Sequence, residues 1–305
     1  MIALLALLVA VEPTPATWDE PMVVIPAGTF ERGSDDAVKP DQRPRQRVAI
    51  STFDLDQTLV TVAAFRAFVA ATGHRTSAER LGYGMVAVEG MKDWEWRRVD
   101  GATWRLPFNG LAQIKLADDL PVTMVSHVDG DAFCRFMGKR LPTEAEWEYA
   151  MRAGSTERFP WGPSPRRPDG RYGLNHWQGS LKNEHEKNDV DDGFMYLSPV
   201  RAFPPNAWGV FDPVGNVWQL VADWYDPAAY RKGNGDVDGV AHDPRGPASG
   251  TRRVTRGGSW WCSARTCAGF GLSFRGKNVS DAPYNNVGFR CAKSSTVKSS
   301  TLKGP

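Results

Sequence analysis

The chain has 305 residues, with 37 basic and 35 acidic side chains and a formal net charge of +2 at pH 7. Both signs are mixed along the chain, which argues against a nucleic-acid-binding protein, because such proteins cluster their basic residues. Twelve tryptophans, 30 glycines and 22 prolines indicate a turn-rich globular chain that packs around aromatic side chains.

The chain begins with a short apolar run, MIALLALLVAVEPTPA, that ends in small residues and proline. The run is too short to span a bilayer, and no other stretch is apolar enough to do so. We therefore predict a secretory signal over residues 1–16 and an exported protein, periplasmic or secreted. Because the run has no Lys or Arg before its apolar part, a cytoplasmic protein with an N-terminal tail is the alternative.

The sequence of the first part of the domain indicates short strands followed by two helices. Residues 17–56 contain apolar, partly alternating runs that are typical of strands. We predict a helix from Val60 to Thr72. Thr61 is its N-cap, and Gly73 ends it. A second helix is predicted from near Ser126 to Gly138.

The clearest local signal is LPTEAEWEYAMRAG. Thr143 followed three residues later by Glu146 forms a capping box, and Gly154 ends the predicted helix. Residues 155–250 are rich in loop-forming residues, and residues 252–293 return to strand-like runs.

We predict one domain over residues 17–293, because no internal repeat or linker divides the sequence. The last residues, 294–305, are poor in apolar side chains and predict a disordered tail.

Two of the four cysteines, Cys262 and Cys267, lie close together in RGGSWWCSARTC. The spacing suits a metal site, a redox couple or a plain disulfide. Export to an oxidising compartment would favour the disulfide. Spacing and compartment together therefore leave all three kinds of site open for this pair.

Seven motifs occur in a fixed order: GTFERGS, FRAFVAATG, GKRLPTEAEWEYAMR, FPWG, FDPVGNVWQL, RGGSWWC and NNVGFRCA. In this order they resemble the formylglycine-generating enzyme family, also called sulfatase-modifying factors, over roughly residues 22–293. The resemblance implies an α+β fold that is loop-rich, has little regular secondary structure and is related to C-type lectin-like modules.

The resemblance also implies a copper-dependent oxidase that uses O2. Such enzymes convert a cysteine in an unfolded sulfatase segment, typically Cys-x-Pro-x-Arg, into formylglycine. Cys262 and Cys267 match the family's active-site cysteines, and Ser259 matches the serine beside them. Cu(I) prefers thiolate ligands, so the pair is assigned to copper, although a metal-free chain can also join the two cysteines. The expected partner is the unfolded peptide, with no nucleic acid and no membrane, and the protein is expected to be a monomer.

Aromatic and basic side chains near these motifs are candidates for a water-poor substrate groove. The aromatic candidates are Trp218, Trp224, Trp260 and Trp261. The basic candidates are Arg256, Arg265 and Arg275.

The other two cysteines, Cys134 and Cys291, match positions that form a disulfide in some family members. Such a bond, closing a long loop, would stabilise the fold by roughly 4–5 kcal/mol. The alternative is two small buried thiols.

Two calcium sites are implied by the resemblance, and Ca²⁺ takes oxygen ligands. Site 1 comprises the side chains of Asn175 and Asp192 with the carbonyls of His176 and Phe194. A solvated acidic loop over residues 188–194 is the alternative.

Calcium site 2 comprises Asp212, Gly215, Val217 and Gln219. Here the chain departs from the family, which usually has Asn at the first of these positions and Glu at the last. Another departure is His127, which stands where the family often has Trp, and a lone histidine is more often packed than a ligand.

Two other function classes remain open at this stage. One is a non-catalytic, lectin-like binding protein, against which the intact cysteine pair speaks. The other is a divergent tailoring oxidase on the same fold. Iron-dependent sulfoxide synthases need a His-x-x-x-His-x-Glu set that the chain lacks, and hydrolase motifs such as HExxH are absent from the sequence.

Overall fold

The computed structural model describes residues 19–295 except for residues 38, 93–94, 178–191, 232–237 and 264–269. The predicted signal over residues 1–16 lies outside the described residues, as do residues 296–305 of the predicted tail. Ser294, the first residue of that tail, is the last residue of a strand. The folded domain therefore extends past the predicted boundary at residue 293.

The described part of the chain contains short strands joined by long loops. They are β1 (Met22–Ile25), β2 (Gly28–Arg32), β3 (Gln46–Ile50), β4 (Phe53–Asp56), β5 (Tyr83–Val86), β6 (Arg97–Asp100), β7 (Trp218–Trp224), β8 (Ala241–His242), β9 (Arg253–Arg256), β10 (Arg275–Asn278), β11 (Val287–Gly288) and β12 (Ala292–Ser294).

The helices are equally short. They are α1 (Val62–Thr72), α2 (Ser77–Leu81), α3 (His127–Phe136) and α4 (Glu144–Arg152), together with a 3-10 turn at Pro40–Gln42. This mixture of short helices and strands in a loop-rich chain confirms the predicted α+β class. Among the described residues, none of the helices has the length and apolarity needed to cross a bilayer.

The predicted caps Thr61, Gly73 and Thr143 are confirmed, whereas the C-cap of α4 is Ala153, one residue before the predicted Gly154. Thr61 accepts a hydrogen bond from the backbone N–H of Ala64, and Gly73 ends α1 in the left-handed conformation. Thr143 and Glu146 form the expected capping box at the start of α4. Caps are local interactions, so the sequence can predict them without knowledge of the tertiary structure.

A four-stranded sheet with the order β10-β9-β7-β11 organises the second half of the domain. Strand β9 lies antiparallel to both β7 and β10, and its register places Gln219, Arg256 and Arg275 side by side. Side chains paired directly across neighbouring strands lie on the same face of the sheet. On this face the three side chains meet α4, where Gln219 bonds Trp147 and both arginines bond Glu144.

The two ends of the domain are joined in a second sheet, in which β4 pairs with both β1 and β12. Cys134 in α3 and Cys291 just before β12 form a disulfide with a Cα–Cα distance of 5.6 Å. Asp56 reinforces this junction, because it accepts a hydrogen bond from the Cys291 N–H and pairs with Lys139. The disulfide implied by the resemblance is therefore present.

Replacing both Cys134 and Cys291 by alanine should lower the free energy of unfolding by about 2–5 kcal/mol. The bond spans 157 residues, so its loss greatly enlarges the conformational freedom of the unfolded chain. Urea unfolding under non-reducing conditions measures the change, and wild-type protein treated with reductant is the matched control. An unchanged unfolding midpoint would show that the bond does not stabilise the fold.

Candidate active site

The segment that carries the candidate cysteine leaves β9 through two consecutive glycines. Gly257 and Gly258 have φ angles of 90° and 73°, values that a residue with a side chain rarely adopts. A Cβ atom on Gly257 would also lie 3.0 Å from the ring of Trp147. The Gly-Gly pair therefore turns the chain sharply at the end of β9 and places Ser259 to Cys262 in the interior.

Cys262 is held in a fixed position by its backbone. Its N–H donates to the carbonyl of Ser259 at 2.9 Å, and its carbonyl accepts from the N–H of Trp177 at 3.0 Å. The residue is only 3% exposed, so the thiol is buried. Its Sγ lies 3.8 Å from the hydroxyl oxygen of Ser259.

Ser259 is fully buried and its hydroxyl oxygen accepts two hydrogen bonds. The donors are the side-chain amide of Asn286 at 2.9 Å and the backbone N–H of Trp261 at 3.3 Å. A hydroxyl has two acceptor lone pairs and one hydrogen. With both lone pairs engaged, the Ser259 hydrogen is left to point toward the sulfur of Cys262.

Asn286 was not singled out by the sequence, although it lies in the NNVGFRCA motif. It is 1% exposed, and its side-chain oxygen has no hydrogen-bond partner among the described residues. Its neighbour Asn285 instead bonds both backbone groups of Ala87 and is structural. Only the fold distinguishes the two asparagines.

A cluster of aromatic rings lies next to Cys262 along the chain and through the Trp177 backbone bond. The ring of Trp261 lies 4.7 Å from that of Trp177 and 5.4 Å from that of Trp260, and Trp260 contacts Tyr196 at 5.1 Å. The indole N–H groups of Trp177 and Trp261 are buried and have no acceptor among the described residues. Trp177 was also missed, because it is distant from the cysteines in sequence.

The other groove candidates have different locations. Trp218 packs on Phe274, and Trp224 lies under the guanidinium of Arg253. Cys267 and Arg265 fall in residues 264–269, outside the described residues.

Arg256 and Arg275 form buried ion pairs, and Arg275 also lines a cavity beside Tyr225 and Phe274. Both are buried and paired with Glu144, and Arg256 also pairs with Glu148. Burial alone would raise the pKa of Glu144, but the positive charges of Arg275 and Arg256 outweigh it and hold that pKa at about 2. These ion pairs with α4 give both arginines a structural role, and a place in the substrate groove stays a prediction for them.

His127 is likewise a packed side chain at the first turn of α3, where it is 8% exposed. Burial, together with the charge of Arg253, lowers its pKa to about 4, so the imidazole is neutral. The structure fits the interpretation of His127 as a packed residue.

The residues of calcium site 1 lie together. Asp192 accepts hydrogen bonds from the backbone N–H groups of His176 at 3.0 Å and Phe194 at 2.9 Å. Asn175 donates its amide to the carbonyl of Tyr196, while its side-chain oxygen is buried without a hydrogen-bond partner in the part of the chain that the structure describes. An orphaned amide oxygen near a carboxylate fits an oxygen-binding cation such as Ca²⁺.

Calcium site 2 gives a different picture. The side chain of Asp212 is buried, and burial raises its pKa to about 6 even though Arg290 is nearby. The side-chain oxygen of Gln219 already accepts from Trp147 and from Arg290, both at 2.9 Å. The set of four therefore does not fit a calcium site, because Gln219 has no oxygen lone pair to offer.

A cavity of about 1070 Å³ lies apart from this site. Its wall includes Tyr149, Trp208 and Arg158 but neither Cys262 nor Ser259. Volume alone does not identify the reactive centre.

A buried carboxyl group beside α4 makes stability depend on pH. Asp223 accepts a hydrogen bond from the N–H of Glu144. Burial, and then the negative charge of Glu144, raise the pKa of Asp223 from 3.8 to about 7. Asp223 therefore keeps its proton in the folded protein between about pH 4 and 7 but loses it in the unfolded chain, so its contribution to stability falls across this window as pH rises.

Asp223→Asn should remove this dependence while keeping the acceptor for Glu144. The variant should gain stability relative to wild type by up to about 1.4 kcal/mol per pH unit between pH 4 and 7, with no further gain above pH 7. Urea unfolding at several pH values measures the difference. A difference that stays constant with pH would contradict the buried-proton account.

Comparison with known proteins gives a consistent picture. Residues 9–295 match the family model described as Sulfatase-modifying factor enzyme 1-like domain. The chain is 39% identical over 296 residues to the formylglycine-generating enzyme of Bos taurus, covering 92% of this chain and 75% of the bovine protein. It is 34% identical over 299 residues to the mouse protein named inactive C-alpha-formylglycine-generating enzyme 2, covering 90% of this chain and 86% of the mouse protein.

A solved structure, that of PvdO from Pseudomonas aeruginosa, has a similar fold. It superposes with a TM-score of 0.67 at 27% identity and covers 90% of this chain and 94% of PvdO.

Proposed function

Because the chain belongs to the formylglycine-generating enzyme (sulfatase-modifying factor) family, we propose that it converts a peptidyl cysteine into Cα-formylglycine. The observation that carries the proposal is the buried Cys262 thiol next to the Ser259 hydroxyl, on a segment that also contains Cys267 in the sequence. A buried reactive sulfur with a fixed donor beside it suits chemistry on a second sulfur, that of the substrate.

The reaction replaces the C–S bond of the cysteine by a C=O bond, a two-electron oxidation that releases the sulfur as hydrogen sulfide. We propose O2 as the oxidant, reduced to water with two further electrons from an external thiol. Cys262 and Cys267 would hold Cu(I), since this soft ion prefers thiolates. When bound, copper would supply the redox chemistry with O2 at the substrate sulfur.

The described residues would prepare this chemistry in two ways. Ser259 donates toward the Cys262 sulfur, while Asn286 fixes the serine hydroxyl. The rings of Trp177, Trp260 and Trp261 exclude water, which strengthens such polar interactions.

The partner would be an unfolded segment of the sulfatase type, with the Cys-x-Pro-x-Arg pattern. Calcium at site 1 would be structural, since its residues tie the loop at Asn175 to that at Asp192.

Export and a monomeric state are also part of the proposal. Sequencing the N-terminus of the mature protein tests export, and light scattering tests the monomeric state.

The decisive experiment is an assay of copper-loaded protein with a Cys-x-Pro-x-Arg peptide and O2. Mass spectrometry should show loss of the thiol and formation of an aldehyde, and a peptide with Ser in place of Cys should remain unchanged. Absence of conversion while copper is bound to Cys262 and Cys267 would refute the generic formylglycine activity and leave an oxidase with another target.

A non-catalytic binding protein of the same fold is the second candidate, and it is favoured by the similarity to the mouse protein named inactive. Cys267→Ser separates the two ideas. An enzyme should lose turnover in this variant, whereas a binding protein should keep its biological activity.

A further inference from the structure

The side chain of Gln219, in β7, has a defined orientation. It is fully buried, and its Oε1 accepts hydrogen bonds from Nε1 of Trp147 and Nε of Arg290, both at 2.9 Å. An indole N–H and a guanidinium can only donate. The oxygen of the amide must therefore face these two groups, and the NH2 must face the opposite way.

The NH2 of Gln219 points at the loop that would bind the second calcium ion. It donates to the backbone carbonyl of Asp212 at 2.9 Å. A guanidinium nitrogen of Arg290 donates to the same carbonyl at 3.0 Å and to that of Phe211 at 2.8 Å. Both lone pairs of the Asp212 carbonyl are thus engaged by N–H donors, one of them from a fully buried cation.

We propose that the loop from Asp212 to Gln219 is closed without a metal ion. The amide of Gln219 and the guanidinium of Arg290 supply the donors and the positive charge that calcium would otherwise supply. Calcium requires about six to eight oxygen ligands, and here the position nearest the Asp212 carbonyl presents NH2. This inference does not depend on the proposed activity, because neither Cys262 nor Ser259 takes part.

A glutamate at position 219 would reverse this arrangement. One carboxylate oxygen would still accept from Trp147 and Arg290, but the second would face the Asp212 carbonyl, oxygen against oxygen. The Oδ2 of Asp212 is itself buried without a hydrogen-bond partner among the described residues. Such a group of buried oxygens gains stability from a divalent cation, so one atom in the side chain of residue 219 decides whether the loop binds metal.

The experiment compares wild type with Gln219→Glu after removal of calcium by a chelator. Calcium is then titrated and bound ions are counted by calorimetry, while melting temperature is followed with and without calcium. Gln219→Glu should bind one more calcium per chain than wild type and should show a larger calcium-dependent rise in melting temperature. The same stoichiometry in both proteins would overturn the proposal.

Two further variants keep the test decisive if Gln219→Glu does not fold. Asp192→Asn, which removes the charge of site 1, should bind no calcium, and Asp212→Asn should bind as much as wild type. Calcium that Asp192→Asn retains and that Asp212→Asn loses would locate an ion at the second loop and contradict the inference. Peptide conversion plays no part in these measurements, so failure of the proposed function would not affect them.

Discussion

Cys262→Ser is expected to reduce conversion of a Cys-x-Pro-x-Arg peptide by more than about 10³-fold, because a hydroxyl replaces one of the soft thiolates proposed to hold Cu(I). The melting temperature should change little, since serine is close to cysteine in size and the backbone bonds to Ser259 and Trp177 do not involve the sulfur. Copper binding, measured by titration, should weaken in parallel with activity.

The Cys134→Ala/Cys291→Ala variant is the matched control for this substitution. It loses a disulfide at the junction of the chain ends and should be less stable than wild type, yet it should still convert the peptide below its melting temperature. Full activity of Cys262→Ser would show that the buried thiol is structural and would refute the proposal that it holds Cu(I).

Ser259→Ala provides a graded comparison, because Ser259 acts through Cys262. Loss of a group that orients a metal ligand typically costs about 10- to 100-fold. An effect larger than that of Cys262→Ser would assign the serine a direct role in the reaction.

Arg256→Met should lower the free energy of unfolding by about 3–5 kcal/mol, because it leaves two buried carboxylates short of a counter-charge. Arg256 is fully buried and bonds both Glu144 and Glu148. Arg275 still pairs with Glu144 in the variant, whereas Glu148 keeps one counter-charge, Arg152 of the same helix, and the N–H of Gly33. Chemical unfolding measures the loss.

Arg256→Lys separates the contribution of charge from that of geometry. Lysine keeps the positive charge but cannot present two donors in a rigid fork, so its stability should lie between those of wild type and Arg256→Met. Because Arg256 immediately precedes Gly257, Arg256→Met should also loosen the segment that carries Cys262. A stable Arg256→Met variant would show that Arg152 and Arg275 neutralise the carboxylates without it.

Local features of the fold were predictable because they depend on neighbours in sequence. The caps Thr61 and Thr143 each serve a backbone group three residues away, and such short-range patterns are visible without a structure. The order of the motifs indicated the family, which the comparisons confirm. The Cys134–Cys291 disulfide followed from the family resemblance, whereas spacing alone could not have assigned it.

Contacts across long sequence distances were missed. Arg256 and Arg275 were candidates for the substrate groove, and only the strand register shows that they bond Glu144 of α4, over a hundred positions earlier. Asn286 reaches Ser259 only because β11 lies parallel to β7 in the same sheet as β9. No pattern in the sequence reports which of two adjacent asparagines turns inward.

The sequence by itself determined the family, the capped helices and the identity of the candidate thiols, since each is carried by residue type and short-range order. Only the tertiary structure decided what those residues contact: the serine hydroxyl beside Cys262, the counter-ions of the buried arginines, and the amide of Gln219 facing the Asp212 carbonyl. The physical reason is that hydrogen bonds and charges depend on the direction of each group in space, and that direction is set by packing between distant parts of the chain.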